Sequence, residues 1–146
     1  MRRRSRRRQD RDTFEDRYLD VLQNLEFAVV QVARENPDLV DSNVELAIDR
    51  LIRYYSAKAK GHEPRTPRLA PMTKKVFESV QTMAELRLGN LELATEDEDA
   101  PPIEIPPITI DELIDCLKRI RKSVRFWHKQ SGQRGYIEYI DDFLPK

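Results

Sequence analysis

Four blocks of the sequence carry apolar residues at intervals of three and four, the spacing that places side chains on one face of an α-helix. The first block contains the series Phe14, Tyr18, Val21, Leu22, Leu25, Ala28, Val29 and Val32. Proline and glycine separate the blocks, and only four glycines and few β-branched runs are present, so strands have little support. We therefore predict an all-α fold, a four- or five-helix bundle.

Start and stop signals give the predicted bounds of the helices. Ser42 with Glu45, and Thr109 with Glu112, have the capping-box pattern of a helix N-terminus, and proline or glycine marks most of the ends. The predicted helices cover residues 13–35, 43–60, 73–88 and 110–131, with a short helix at 136–144. They form one helical domain over residues 13–146.

Two linkers separate the predicted helices. Residues 61–71 contain three prolines and could span roughly 34 Å in an extended form, so helix three could run in either direction relative to helix two. Residues 90–108 contain four adjacent acids at 96–99 and four prolines, which predicts a stiff acidic loop before the last long helix.

The formal net charge of zero hides a basic N-terminus. Of the 26 basic and 26 acidic residues, residues 1–11 hold seven Arg and one Asp, which leaves 19 bases and 25 acids elsewhere. Residues 1–12 have no apolar side chain after Met1, so we expect a disordered tail. Its candidate anion-binding residues are Arg2, Arg3, Arg4, Arg6, Arg7 and Arg8. The tail would favour any phosphate-rich polymer or anionic surface, and the alternative is a solvated end.

A basic stripe on helix four is the stronger candidate site. Residues 118–134 contain seven Lys or Arg and no acid. The candidate residues for binding an anion or a protein are Lys118, Lys122, Arg125, Phe126, Lys129 and Arg134. Two alternatives remain open, because acids at the start and bases at the end of a helix also suit its dipole, and the acidic loop at 96–99 could neutralise the stripe.

The sequence offers little for catalysis. Cys116 is the only cysteine and is expected to be a small buried side chain, while His62 and His128 each lack the paired spacing of a metal site. No glycine-rich loop precedes a helix, and no apolar stretch is long enough to span a membrane. We therefore expect a cytoplasmic protein that is not an enzyme and that has no cofactor, metal or small-molecule substrate.

Aromatic residues in helices two, four and five are typical either of core contacts or of a partner-binding patch. Phe126 lies off the apolar stripe and marks an interface if it is exposed. The sequence favours a protein–protein interaction or regulatory module that binds a protein partner or self-associates through extra apolar surface at Phe27 and Val30 of helix one. The alternative is an accessory protein that binds nucleic acid without sequence specificity through the tail and the stripe.

Overall fold

Five helices make up the molecule in the computed structural model, which describes the backbone of residues 2–91 and 106–144 and, within these ranges, side chains from Leu19 onward. The helices are α1 (Arg2–Glu35), α2 (Asp41–Ala59), α3 (Pro71–Arg87), α4 (Ile110–Ser131) and α5 (Gly135–Phe143). The described residues contain no strand. The predicted all-α class and helical bundle are confirmed.

The start of α1 differs from the predicted one. The backbone is helical from Arg2, whereas the sequence placed the start near Thr13 and a disordered tail before it. Arginine is among the better helix formers, and a helix that is already nucleated extends at little cost. Because no side chain before Leu19 is described, the prediction that residues 1–12 form a tail outside the packed domain stays a prediction.

Contacts between helix ends establish that α2 and α3 run parallel, which the sequence left open. The Asn43 amide donates to Thr73 Oγ1 at 3.2 Å near the N-termini of both helices. Towards their C-termini, Tyr55 OH donates to Glu85 Oε1 at 2.8 Å. The extended 61–71 linker therefore returns the chain along the length of α2 before α3 begins.

The other long helices alternate in direction. Helix α1 is antiparallel to α3, because Asp20 accepts a hydrogen bond from Arg87 at 2.8 Å while Asn36 accepts one from Lys75 at 3.0 Å. Helix α4 is antiparallel to α2, as shown by the pairs Glu45–Arg125 and Asp49–Arg121. These directions bring the C-terminal half of α4 beside the N-terminus of α2.

The predicted apolar stripes supply the core between the helices. Val29 of α1, Leu51 of α2, Val80 of α3 and Leu117 of α4 are fully buried. The extra apolar surface of Phe27 and Val30 was the basis for predicting self-association through helix one. Val30 is fully buried and leaves no free face for a second copy, whereas Phe27 is partly buried against the core.

Of the two predicted capping boxes, only the one on α4 is correct. The N–H of Glu112 donates to Thr109 Oγ1 at 3.1 Å, and Glu112 Oε1 accepts from the N–H of Thr109. Helix α2 instead starts at Asp41, where the backbone N–H of Val40 donates to Asn43 Oδ1 at 3.1 Å. Ser42 is exposed within the helix, and Asn43 has the role that was predicted for Glu45, since its side chain accepts from the backbone N–H of the N-cap residue.

The described ends of the second linker meet. The backbone N–H of Ile108 donates to the carbonyl of Arg87 at 3.0 Å, and Gly89 lies against Pro107. The chain thus leaves α3 and returns to α4 at one place. Residues 92–105 between these ends, including the acids at 96–99, lie outside the described residues, so the alternative that this loop neutralises the helix-four stripe is untested.

Candidate interaction surface

The lysines of the predicted basic stripe face outward. Lys118, Lys122 and Lys129 are exposed, and none of the three has an ion pair with another described residue. Three of the predicted site residues are therefore cations on one side of α4 that no acid within residues 19–91 and 106–144 pairs with. Their charges can act on a partner, since no acid of the described chain neutralises them.

The arginines of the same segment are held by other elements. Arg125 Nε lies 2.6 Å from Glu45 Oε1, although its side chain remains 58% exposed. Arg134, which was predicted as a binding residue, donates from Nε to the carbonyl of Leu39 at 3.0 Å. Its main contact is thus structural, because it fastens the start of α5 to the segment that precedes α2. The side chains of Arg2, Arg3, Arg4, Arg6, Arg7 and Arg8 lie outside the described residues.

Phe126 is exposed, which meets the condition that the sequence set for an interface. Its side chain is 55% exposed and lies in an open groove of about 490 Å³. The groove is lined by Glu45, Lys122, Arg125, Phe126, His128 and Lys129. A large apolar ring among charged groups costs free energy in water, and a partner that covered it would remove that cost.

Phe126 is the first member of an aromatic row, which we define as Phe126, Trp127, Tyr139 and Phe143. The rings of Phe126 and Trp127 meet edge to face at 5.3 Å between centroids. Trp127 stacks on Tyr139 at 4.3 Å, and Tyr139 on Phe143 at 6.3 Å. Tyr139 is 39% and Phe143 59% exposed, so the row crosses from α4 to α5 on the surface.

Two glycines bring α5 against the end of α4. Gly132 ends α4 with φ of +89°, a conformation that side chains disfavour. Gly135 lies so close to α4 that an added Cβ would be 2.8 Å from Ser131 Cβ and would also meet the carbonyl of Trp127. The chain can therefore turn sharply and lay Tyr139 on Trp127.

The carboxylate of Asp41 fixes the first turn of α5. It is 1% exposed and accepts hydrogen bonds from the backbone N–H of Tyr136 at 2.9 Å and of Ile137 at 3.1 Å. Its own backbone N–H donates to the carbonyl of Gln133 at 2.8 Å, and His128 Nδ1 lies 3.5 Å from its Oδ2. A negative charge at a helix N-terminus is favourable, so the Asp41 carboxylate of α2 stabilises the N-terminal turn of α5.

Helix α1 holds α5 from the opposite side. The buried Tyr136 donates its hydroxyl to Glu26 Oε2 at 3.0 Å, and Arg34 Nε lies 2.7 Å from Asp141 Oδ1. Burial raises the pKa of Glu26, although the hydrogen bond from Tyr136 opposes the shift. Burial and the nearby Glu26 raise the pKa of Tyr136 well above its usual value.

The α5 end of the aromatic row is acidic. Glu138 and Asp142 directly precede Tyr139 and Phe143 in the helix, and both acids are exposed. Within the described chain neither is in an ion pair, whereas the neighbouring Asp141 pairs with Arg34. The row thus has free lysines near Phe126 and free carboxylates near Phe143.

Outside this surface, the described residues offer little that could catalyse a reaction or bind a metal. Cys116 is buried, as predicted, and burial raises its pKa to about 12, so its thiol is a poor nucleophile. Among the described residues no three His, Cys, Asp or Glu side chains are grouped so that they could hold a metal ion. None of the described helices combines the length and the hydropathy that crossing a membrane requires.

Sequence reasoning found the lysines and Phe126 but missed Asp41 and the two exposed acids of α5. Asp41 was read as part of the segment before helix two, and nothing in its local sequence indicates that it accepts hydrogen bonds from residues 136 and 137. The acids of α5 could have been found from the sequence, because Glu138 and Asp142 are four residues apart and each precedes an aromatic residue of the same spacing.

Comparison of the chain with known protein families, with curated proteins and with solved structures gave no match.

Proposed function

We propose that this protein is a non-enzymatic protein–protein interaction module and that it binds its partner through the α4–α5 surface. The observation that carries the proposal is the aromatic row. Phe126 and Phe143 at its two ends are each more than half exposed, at 55% and 59%, while ring contacts join them through Trp127 and Tyr139. Aromatic residues are enriched at the centres of protein interfaces, where they contribute much of the binding free energy.

The row is also held in place before any partner arrives. Asp41 binds the first turn of α5, Gly135 allows its close approach to α4, and Arg34 pairs with Asp141 on the far side. Side chains that are already ordered lose little entropy on binding, so more of the contact energy becomes affinity. A rigid and exposed aromatic surface suits a binding role.

Binding of nucleic acid is the second candidate, and the three free lysines of α4 favour it. Lys118, Lys122 and Lys129 would each neutralise a phosphate. The α5 half of the surface opposes it, because the exposed acids Glu138 and Asp142 are on the same helix as two of the rings on which bases would stack, and their charge repels phosphate. A surface of mixed charge with aromatic residues between is better matched by protein, so we place nucleic acid second.

Site-specific photo-cross-linking in cells that express the protein tests the proposed function. p-Benzoylphenylalanine replaces Phe126 in one variant and Tyr139 in another, and Thr82, an exposed residue of α3, is the control position. We expect discrete protein adducts from positions 126 and 139 and none from position 82. Equal labelling from all three positions, or no protein adduct, would contradict the proposal.

Titration of single-stranded RNA at several salt concentrations tests the rival function. Binding through lysines predicts a log–log salt slope of about −0.7 per phosphate contact, reduced when Lys118, Lys122 and Lys129 are replaced by Gln. The interaction module predicts no RNA binding that depends on these lysines. A steep slope that the lysine variant removes, together with no protein adduct at position 126, would establish the rival.

A further inference from the structure

Exposed charges of opposite sign lie on the two helices that form the aromatic row. Lys122 and Lys129 lie four residues before and three residues after Phe126, on the same side of α4. Glu138 and Asp142 are exposed on α5, each one position before a ring of the row and therefore about 100° around the helix from Tyr139 and Phe143. Within the described chain none of these four groups is in an ion pair, so all four are available to a second molecule.

We propose that the partner of this surface is a second copy of the chain, bound through the same surface; the inference rests on the proposed function. A twofold axis through the middle of the row, at the Trp127–Tyr139 stack, reverses the direction of the row in the second copy. The lysines of each copy then face the carboxylates of the other, and aromatic rings cover aromatic rings. The surface is complementary to itself in this arrangement, as an isologous dimer requires.

The whole-molecule charge permits this association. The formal net charge at pH 7 is zero, so two copies experience no overall repulsion. A separate acidic or basic partner would leave one end of the row facing a like charge, which disfavours binding. The nearby Arg125 is already paired with Glu45 in its own molecule, so it competes weakly for the carboxylates of a second copy.

The expected dimer is weak. If a fully exposed aromatic side chain presents about 200 Å², the exposed parts of Phe126, Tyr139 and Phe143 give roughly 300 Å² per protomer. These rings alone supply less than half of the about 800 Å² per partner of a standard interface, and the charged side chains around them supply the rest of the contact. We expect a dissociation constant on the order of micromolar or weaker.

Sedimentation equilibrium of the full chain over about 5 to 500 µM tests the proposal, because that range brackets weak dimers. We expect the weight-average mass to rise with concentration from 17.2 kDa toward twice that value. The variant K122E/K129E places acids opposite acids, and E138K/D142K places bases opposite bases. Each should weaken the dimer by about tenfold or more.

Mixing the two variants provides the decisive result. In the mixed dimer every altered lysine position, now acidic, faces an altered acid position, now basic, and every unaltered group faces its original partner. We therefore expect the mixture to dimerise although neither variant does so alone. The control R65E/R68E makes the same change of charge as K122E/K129E in the exposed 61–71 linker and should dimerise like the wild type.

A wild type that remains monomeric throughout this range, or variants that dimerise as strongly as the wild type, would overturn the proposal. Absence of rescue in the mixture would do the same. Circular dichroism of each variant establishes that loss of dimer is not loss of fold. If the protein is monomeric while position 126 still cross-links to a different protein, the second copy is wrong and the proposed function stands. If neither association is found, both fail.

Discussion

At the scale of the residue, Asp41 contributes most to the position of the candidate surface. Its buried carboxylate receives two backbone N–H groups of α5, and no other described acid of the chain receives two from a different helix. The position of α5 depends on this contact, because the helix is only nine residues long and is not stable by itself. Asp41 thus acts on the aromatic row without touching it.

Replacing Asp41 with Ala should reduce the free energy of unfolding by about 1–3 kcal/mol, because the N–H groups of Tyr136 and Ile137 would be buried without an acceptor. Asp41→Asn keeps one acceptor oxygen and should cost less. Urea unfolding measures both, with Asp142→Ala as the exposed control, expected within about 0.5 kcal/mol of the wild type. An unchanged stability in Asp41→Ala would show that α5 is held by other contacts.

Glu26 predicts a dependence of stability on pH. Burial raises its pKa in the folded state above the usual 4.5, so the folded protein binds the proton more strongly than the unfolded chain does. The contribution of Glu26 to stability is therefore greatest below pH 4.5 and is lost as pH rises through the folded pKa. Removal of the charge of Glu26 should therefore increase the free energy of unfolding at neutral pH.

Glu26→Gln should accordingly be more stable than the wild type near neutral pH, since the amide oxygen can still accept from Tyr136 and no charge is buried. The gain should shrink at about pH 4, where Glu26 is largely protonated. Urea unfolding at the two pH values measures this, with the exposed Glu138→Gln as control. A gain of equal size at both pH values would contradict the assigned cause.

At the scale of the element, α4 was the most predictable part of the molecule. Its capping box involves only residues 109–112, and the local sequence is sufficient to specify it. Helix α2 was less predictable because either Asn43 or Glu45 can supply the N3 side chain of a capping box, and local sequence does not decide whether the N-cap is Val40 or Ser42. The Arg125–Glu45 pair was not predictable at all, since it depends on α2 and α4 being antiparallel.

The separation of apolar and basic faces on α4 gives a matched pair of substitutions. Leu117→Asp buries an unpaired charge at a fully buried position and should destabilise by more than about 4 kcal/mol, enough to unfold a small domain. Lys122→Asp changes an exposed side chain and should stay within about 0.5 kcal/mol. Thermal unfolding in dilute solution measures both. A large loss in Lys122→Asp would mean that this lysine is internally paired.

At the scale of the whole molecule, the sequence was sufficient to predict an all-α bundle but not the directions of its helices. The 61–71 linker is long enough for either direction of α3, and the Asn43–Thr73 and Tyr55–Glu85 contacts that decide it join residues 30 positions apart. The arrangement of charges around the aromatic row likewise depends on how elements distant in sequence pack together. Only the turn at Gly132 and Gly135 brings α5, with its exposed acids, against the end of α4.

Trp127 is the single tryptophan of the chain and lies inside the aromatic row, so its fluorescence reports on the surface directly. Acrylamide quenching of Trp127, measured from dilute to concentrated protein, tests whether the row is an interface. Because Trp127 is partly buried, we predict partial quenching in dilute folded protein, a decrease as concentration rises, and restoration of quenching by K122E/K129E. Quenching that stays the same at every concentration would contradict the central claim.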